Sequence, residues 1–309
     1  MIRALVVDDS ASARASIAAI LREDDEIEVV GEASDGLAAV ELTKKLRPDV
    51  VTMDLEMPGL DGFGATQEIM IERPTPIVVV SAMSHVAEAE AAVRALGAGA
   101  LAVLRKPPGP TNAAYARAAE EMRETVKAMA EVKVVRRIRA ARPMPAPKAS
   151  AGVAEHTRLI AIAASTGGPA ALQTVLAALP RDLPVPILVV QHIASGFTAG
   201  LATWLTHATG RPVKLAEHGE SLVPATVYVA PEDHHLGATA ERTVALSADP
   251  PIGGFRPAAT YLFRSVAAAY GRAVTAVILT GMGRDGVDGL RAVRQAGGRV
   301  LAQDEETSV

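Results

Sequence analysis

Val51-Thr52-Met53-Asp54-Leu55-Glu56-Met57-Pro58-Gly59-Leu60-Asp61-Gly62 decides how the first half of this chain is read. A β-branched apolar run ends on a carboxylate, and a Pro-Gly turn follows at once. A short run of this kind, bounded by turn residues, reads as a strand buried on both faces. Working outward, similar runs occur at Ala4–Val7, Ile27–Val30, Ile77–Val80 and Leu101–Leu104. Helix-compatible stretches separate them at Ala11–Glu23, Leu37–Lys45, Phe63–Glu72 and Val86–Leu96. The alternation predicts a five-stranded, doubly wound parallel α/β domain.

Asn112 to about Ile138 reads as one long helix that begins in the first domain and runs on as a connector. The stretch from Ala140 to Gly152 holds three prolines among small residues, a semi-rigid linker. A second alternation then begins. Strands are expected at Leu159–Ala164, Ile187–Gln191, Val213–Ala216, Thr226–Ala230, Ala276–Leu279 and Arg299–Ala302. Helices are expected at Ala170–Ala178, Gly200–His207, Ala258–Tyr270 and Gly286–Ala296. The expected division is 1–118, a linker over 119–157, and a second doubly wound α/β domain over 158–309.

The 309 residues suit two domains. The chain is 49% hydrophobic but only 3% aromatic, so its cores must be aliphatic. Net charge is −4 with both signs interspersed and no basic stripe, which argues against nucleic acid as a partner. The absence of cysteine excludes disulfides, thiol catalysis and Cys-ligated zinc. No apolar run reaches the ~18 residues of a membrane helix, and the expectation is a soluble cytoplasmic protein.

Asp8 and Asp9 follow the first strand, Asp54 the third, Ser81 ends the fourth and Lys106 follows the fifth. In a parallel sheet these ends share one edge, where ligands bind. Three carboxylates there would repel one another unless a hard cation such as Mg²⁺ joined them. Lys106 and Ser81 would neutralise and bind a phosphoryl group on Asp54. Whether Lys106-Pro107 is cis is open at this level. Across residues 1 to about 118 the chain resembles the response-regulator receiver family. The resemblance implies phosphorylation of Asp54, Mg²⁺ held with Asp8 and Asp9, and Ser81 and Lys106 as the switch. Val103 stands three residues before Lys106, where that family usually carries Tyr or Phe. Valine is stiff about χ1 and cannot make an aromatic swing.

In the second half, Ile162-Ala163-Ala164-Ser165-Thr166-Gly167-Gly168-Pro169 places a hydroxyl between a strand and a Gly-rich helix start. A helix N-terminus favours developing negative charge. His192 follows the second strand of this half, and Asp285 follows a later one within Leu279-Thr280-Gly281-Met282-Gly283-Arg284-Asp285-Gly286. A serine nucleophile needs a base and an orienting carboxylate. These three residues are the candidates, with the Met282 N–H as an oxyanion donor. A binding module without turnover is the alternative from another class. His234-His235 after Glu232-Asp233 reads as a polar loop near the site, with metal binding the minor alternative; His207 and His218 read as surface positions.

Ala-Ser-Thr-Gly-Gly-Pro, Gln191-His192, Leu-Thr-Gly-Met-Gly-x-Asp-Gly and Arg256-Pro257 before Leu262–Val266 resemble the chemotaxis response-regulator protein-glutamate methylesterase family. The resemblance implies Ser165 as nucleophile, His192 as base, Asp285 as orienter, Thr166 bonding near His192 and Met282 supplying an oxyanion N–H. It implies a phosphorylation-activated enzyme that hydrolyses chemoreceptor glutamate methyl esters and deamidates receptor glutamines. The short, proline-rich linker from Pro143 to Gly152 would keep the domains at high effective concentration, and the expectation is that the unphosphorylated receiver inhibits by covering Ser165. The partners implied by the resemblance are methyl-accepting chemoreceptors and a histidine kinase, with no cofactor in the second domain. The segment Ile193–Phe197 differs from the enteric enzymes. A further strand and helix are expected beyond Val309 by the same resemblance.

Overall fold

The computed structural model describes residues 1–82, 86–132, 134 and 157–308, with the side chains of 86–89 outside that description. The prolines and small residues of 140–152 lie outside the described residues. The chain divides into two compact units, Met1–Arg142 and Pro143–Val309.

The first unit alternates β1 (Ile2–Val7), α1 (Ala11–Arg22), β2 (Ile27–Ala33), α2 (Gly36–Leu46), β3 (Val50–Met53), α3 (Gly62–Glu72), β4 (Ile77–Ser81), α4 (Val86–Ala98), β5 (Ala102–Arg105) and α5 (Tyr115–Ala130). The strands form one parallel sheet in the order β2-β1-β3-β4-β5. Both faces are covered by helices, so β3 and β4 are buried along their whole length. Ser10, Asp35 and Asp61 cap α1, α2 and α3 by accepting a backbone N–H of the first turn. These caps satisfy donors that a helix start otherwise leaves open.

The expected long helix from Asn112 to Ile138 is shorter at both described ends. Asn112 folds back to accept the Ala114 N–H at 2.9 Å, a local turn that competes with helix. At the other end the Val132 N–H reaches the Met129 carbonyl, closing a tight final turn just as β-branched residues begin. Among the described residues the cis peptide is Arg256–Pro257, so Lys106–Pro107 is trans.

The second unit runs β6 (Leu159–Ala164), α6 (Gly168–Ala178), β7 (Ile187–Gln191), α7 (Thr198–Thr209), β8 (Val213–Leu215), β9 (Val227–Val229), β10 (His235–Ala238), β11 (Val244–Ser247), α8 (Ala259–Tyr270), β12 (Val274–Ile278), α9 (Val287–Gln295) and β13 (Arg299–Ala302). Six strands pair in parallel in the order β13-β12-β6-β7-β9-β8. The antiparallel hairpin β10-β11 is an addition to the expected elements. It packs with α8 and the sheet into a hydrophobic core containing Leu188, Leu236, Leu262, Phe263 and Val274.

The strand order of each sheet reverses at its first strand: β1 lies between β2 and β3, and β6 between β7 and β12. Crevices at the carboxyl ends of strands open at such reversals. Both candidate sites fall there.

Candidate active site and phosphoacceptor site

In the first unit, Asp8 and Asp54 are buried and Asp9 is exposed at the sheet edge. One carboxylate oxygen from each lies within 4.8 Å of the others. Lys106 Nζ lies 2.8 Å from Asp8 Oδ2 and 2.9 Å from Asp54 Oδ2. Burial pushes the Asp54 carboxyl up, and the neighbouring Asp8 adds to the rise against the pull of Lys106. Burial alone would lower the Lys106 ammonium, but its bonds to Asp8 and Asp54 outweigh it and raise it. Three carboxylates against one ammonium leave room for a further cation, and an all-oxygen donor set suits a hard one. Ser81 is buried at the end of β4, and its carbonyl accepts the Lys106 N–H at 2.8 Å. Val103 is buried in β5, in register with Val79.

In the second unit, Ser165, His192 and Asp285 follow β6, β7 and β12, three adjacent strands of one parallel sheet. They line one cleft of about 90 Å³ together with Ala259, Met282 and Gly283. The backbone holds Ser165: its N–H donates to the Thr280 carbonyl at 3.0 Å, and its carbonyl accepts the Gly168 N–H at 2.8 Å. Gln191, buried, donates its Nε2 to the carbonyls of both Ser165 and His192 at 2.8 Å. One side chain thus ties the loop of the hydroxyl to the loop of the imidazole. Gly167 turns with φ +75° to start α6, a conformation that favours glycine.

His192 Nε2 lies 3.1 Å from Asp285 Oδ2. The contact is within ion-pair reach but off the line of an N–H···O bond, so the buried Nε2 has no well-aligned partner. The other imidazole edge, Nδ1, has no hydrogen bond among the described residues, and Ser165 Oγ has none either. Such bonds are often long in a free enzyme and tighten with substrate.

Asp285 has a second task that its sequence position hides. Its Oδ2 accepts the Ala259 N–H at 2.6 Å and its Oδ1 the Thr260 N–H at 3.0 Å. It therefore caps the start of α8, whose own preceding residue, Ala258, has no capping side chain. Burial would push this carboxyl up; His192 and the Thr260 and Ala259 donors outweigh burial and bring it down to about 2.

Met282 is 45% exposed, and its N–H has no protein acceptor among the described residues. Thr166 lies outside the cleft lining; its carbonyl accepts the Thr280 hydroxyl at 3.1 Å, and no bond joins it to His192. His235 is not in a polar loop. It opens β10 fully buried, stacks on Tyr261 at 4.7 Å, and accepts the Ala258 N–H on Nδ1 at 3.2 Å. Among the described residues only Asp8, Asp9 and Asp54 cluster as metal ligands would. His207 and His218 are exposed, as expected. Sequence reasoning missed Phe255, whose ring stacks on His192 at 4.1 Å. It also missed the bridging role of Gln191.

Gly281 is a steric requirement of the cleft. A Cβ there would lie 2.6 Å from Ser165 Cβ and 3.3 Å from its Cα. Gly281→Ala must therefore move the hydroxyl-bearing loop or the Met282 loop. A displacement near 1 Å costs on the order of 10²-fold in turnover. Ester hydrolysis per mole of folded protein checks this, with circular dichroism showing the fold retained.

The sequence has counterparts among known proteins. The CheB methylesterase family model matches residues 160–309, and the response regulator receiver domain model matches residues 4–115. The chain is 54% identical over 312 residues to protein-glutamate methylesterase/protein-glutamine glutaminase 4 of Myxococcus xanthus, an alignment covering 100% of this chain and 88% of that one. It is 53% identical to protein-glutamate methylesterase/protein-glutamine glutaminase 3 of Anaeromyxobacter dehalogenans, over 98% of this chain and 89% of the relative. A crystal structure of the Thermotoga maritima CheB methylesterase catalytic domain is 42% identical and covers 50% of this chain and 82% of its own, with a TM-score of 0.48. Identity that runs through both units, end to end, is what separates this chain from a receiver joined to an unrelated domain: it belongs to the protein-glutamate methylesterase/protein-glutamine glutaminase family.

Proposed function

We propose that the chain hydrolyses glutamate methyl esters on chemoreceptors, and deamidates receptor glutamines, under control of phosphorylation at Asp54. The observation that carries this reading is the convergence of Ser165, His192 and Asp285 on one cleft from three adjacent strand ends. We divide the chain accordingly into a receiver over 1–118, a linker over 119–157 and a catalytic domain over 158–309, with Ser165, His192 and Asp285 as the triad. The family matches to 4–115 and 160–309 support that division.

Because Nε2 is the imidazole edge that faces Asp285, the Ser165 proton passes to Nδ1. Ser165 Oγ attacks the ester carbonyl, and the Met282 N–H and the start of α6 face the oxygen that gains charge. Collapse of the tetrahedral species transfers the proton from Nδ1 to the methoxy oxygen, and methanol leaves. Water, deprotonated by the same nitrogen, then releases the glutamate carboxylate and restores Ser165. With a glutamine substrate the same steps release ammonia. Asp285 stays ionised throughout, since its carboxyl is held at about 2.

In the receiver, Asp8, Asp9 and Asp54 would hold Mg²⁺, which would supply positive charge to offset that of a phosphoryl group at Asp54. Lys106, already within bonding distance of Asp54, offsets the remaining charge, and Ser81 stands at the adjacent strand end. The partners in this reading are methyl-accepting receptors and a phosphodonor histidine kinase, and the compartment is the cytoplasm. Among the described residues no helix is long and apolar enough to cross a membrane.

Mass spectrometry of receptor peptides tests the reading directly. Incubation with the chain should remove methyl groups and convert glutamine to glutamate at the same positions, and unchanged peptides would refute it. A small acyl phosphate should raise the rate. Asp54→Asn should abolish that rise while basal turnover remains, because Asp54 belongs to the other unit. Stimulation that survived in Asp54→Asn would remove Asp54 as the phosphoacceptor.

A further inference from the structure

Phe255 is 38% exposed and takes no part in the core of the second unit. Its ring lies flat on the imidazole of His192, with centroids 4.1 Å apart and planes 4° from parallel. The chain delivers it there with a dedicated turn. Ile252 and Phe255 exchange both backbone hydrogen bonds at 3.1 Å around Gly253 and Gly254, at φ +60° and +89°. Positive φ at both central residues is the geometry of a tight two-residue hairpin turn. The next residue, Arg256, donates to the carbonyls of Ala248 and Asp249 at 3.1 and 3.3 Å, which clamps the arm to its own base.

An imidazole needs such a support here. Its χ2 torsion is broad, so only outside contacts fix the ring plane. One edge meets Asp285 off-line, and the other has no hydrogen bond among the described residues. Neither edge sets the plane, whereas a parallel ring at van der Waals distance does.

We propose that Phe255 is the positioning residue for His192: its ring sets the imidazole plane that turns Nε2 to Asp285 and Nδ1 into the cleft beside Ser165. The proposal rests on the reading of Ser165 and His192 as nucleophile and base. It gives Phe255 no contact with substrate, so its loss should fall on kcat.

The test uses the full chain and methyl-esterified receptor membranes. Phe255→Leu keeps an apolar side chain but no ring plane. It should lower kcat by about 10- to 100-fold, the scale of a misplaced catalytic group, with KM unchanged. Phe255→Tyr and Phe255→Trp should restore most of kcat. In proton NMR, the His192 ring signals, assigned by their loss in His192→Ala, should move downfield in Phe255→Leu as the ring current disappears, and return in Phe255→Tyr. Full kcat in Phe255→Leu, a loss carried in KM, or a Tyr variant as poor as Leu would each overturn the proposal. Ser165→Ala separates it from the reading beneath it. Turnover by Ser165→Ala would remove the nucleophile assignment, while the NMR shifts would still report whether Phe255 holds the ring.

Discussion

Ser165→Ala is expected to lose at least ~10³-fold in ester hydrolysis with the fold unchanged. Triad members act as a unit, so loss of the nucleophile leaves only what binding and the oxyanion donors supply. The fold should persist because residue 165 is held by its N–H to Thr280 and its carbonyl to Gly168 and Gln191, all of which alanine keeps. Methanol release and a thermal melt on the same preparation check both halves. A folded variant with near-parental turnover would remove Ser165 from the mechanism.

Asp285→Asn should be nearly as severe, on the order of 10³- to 10⁴-fold in kcat, for two physical reasons. An amide cannot offset the charge of the imidazolium, and its NH₂ must point at a donor, either the Thr260 N–H or the pair formed by His192 and the Ala259 N–H. The same replacement should weaken the start of α8, where loss of a capping acceptor costs about 1 kcal/mol. A pH signature separates these effects. The folded carboxyl is held at about 2, below its unfolded value near ~4. A depressed folded value contributes stability above the unfolded pKa and loses it as pH falls from about 4 toward 2. The contribution is on the order of 2 kcal/mol. The gap in melting temperature between parent and Asp285→Asn should therefore close as pH falls through that window. A gap constant with pH would mean that the native state does not favour the ionised carboxylate.

Much of this was legible because parallel sheets write themselves plainly. Val50–Met53 and Ile187–Gln191 are buried on both faces, so they appear as unbroken apolar runs, and the residue after each run lands on the ligand edge. That rule placed Asp54 and His192 with no knowledge of their neighbours. The hairpin of β10 and β11 was hidden because His235-Leu236-Gly237-Ala238 has no β-branched residue. Its strand is held instead by distant partners, Ala258 and Ser265. Phe255 was hidden for a related reason: Gly253-Gly254-Phe255 signals a turn, but nothing local says that the turn ends on an imidazole 63 residues earlier. The capping role of Asp285 was invisible too, since the helix it caps begins 26 residues before it. In each case the missing information was a long-range contact, whereas what could be read was the local period of a strand and the residue at its end.

On this reading the cleft turns substrate over rather than gripping it. Methanol released from methyl-esterified receptor membranes, measured beside the amount of chain bound to them, decides between the two. The parent should release many methanol molecules per chain and Ser165→Ala almost none, with binding equal in the two. Equal binding with no methanol from the parent chain would contradict this reading and leave a phosphorylation-controlled binding module in its place.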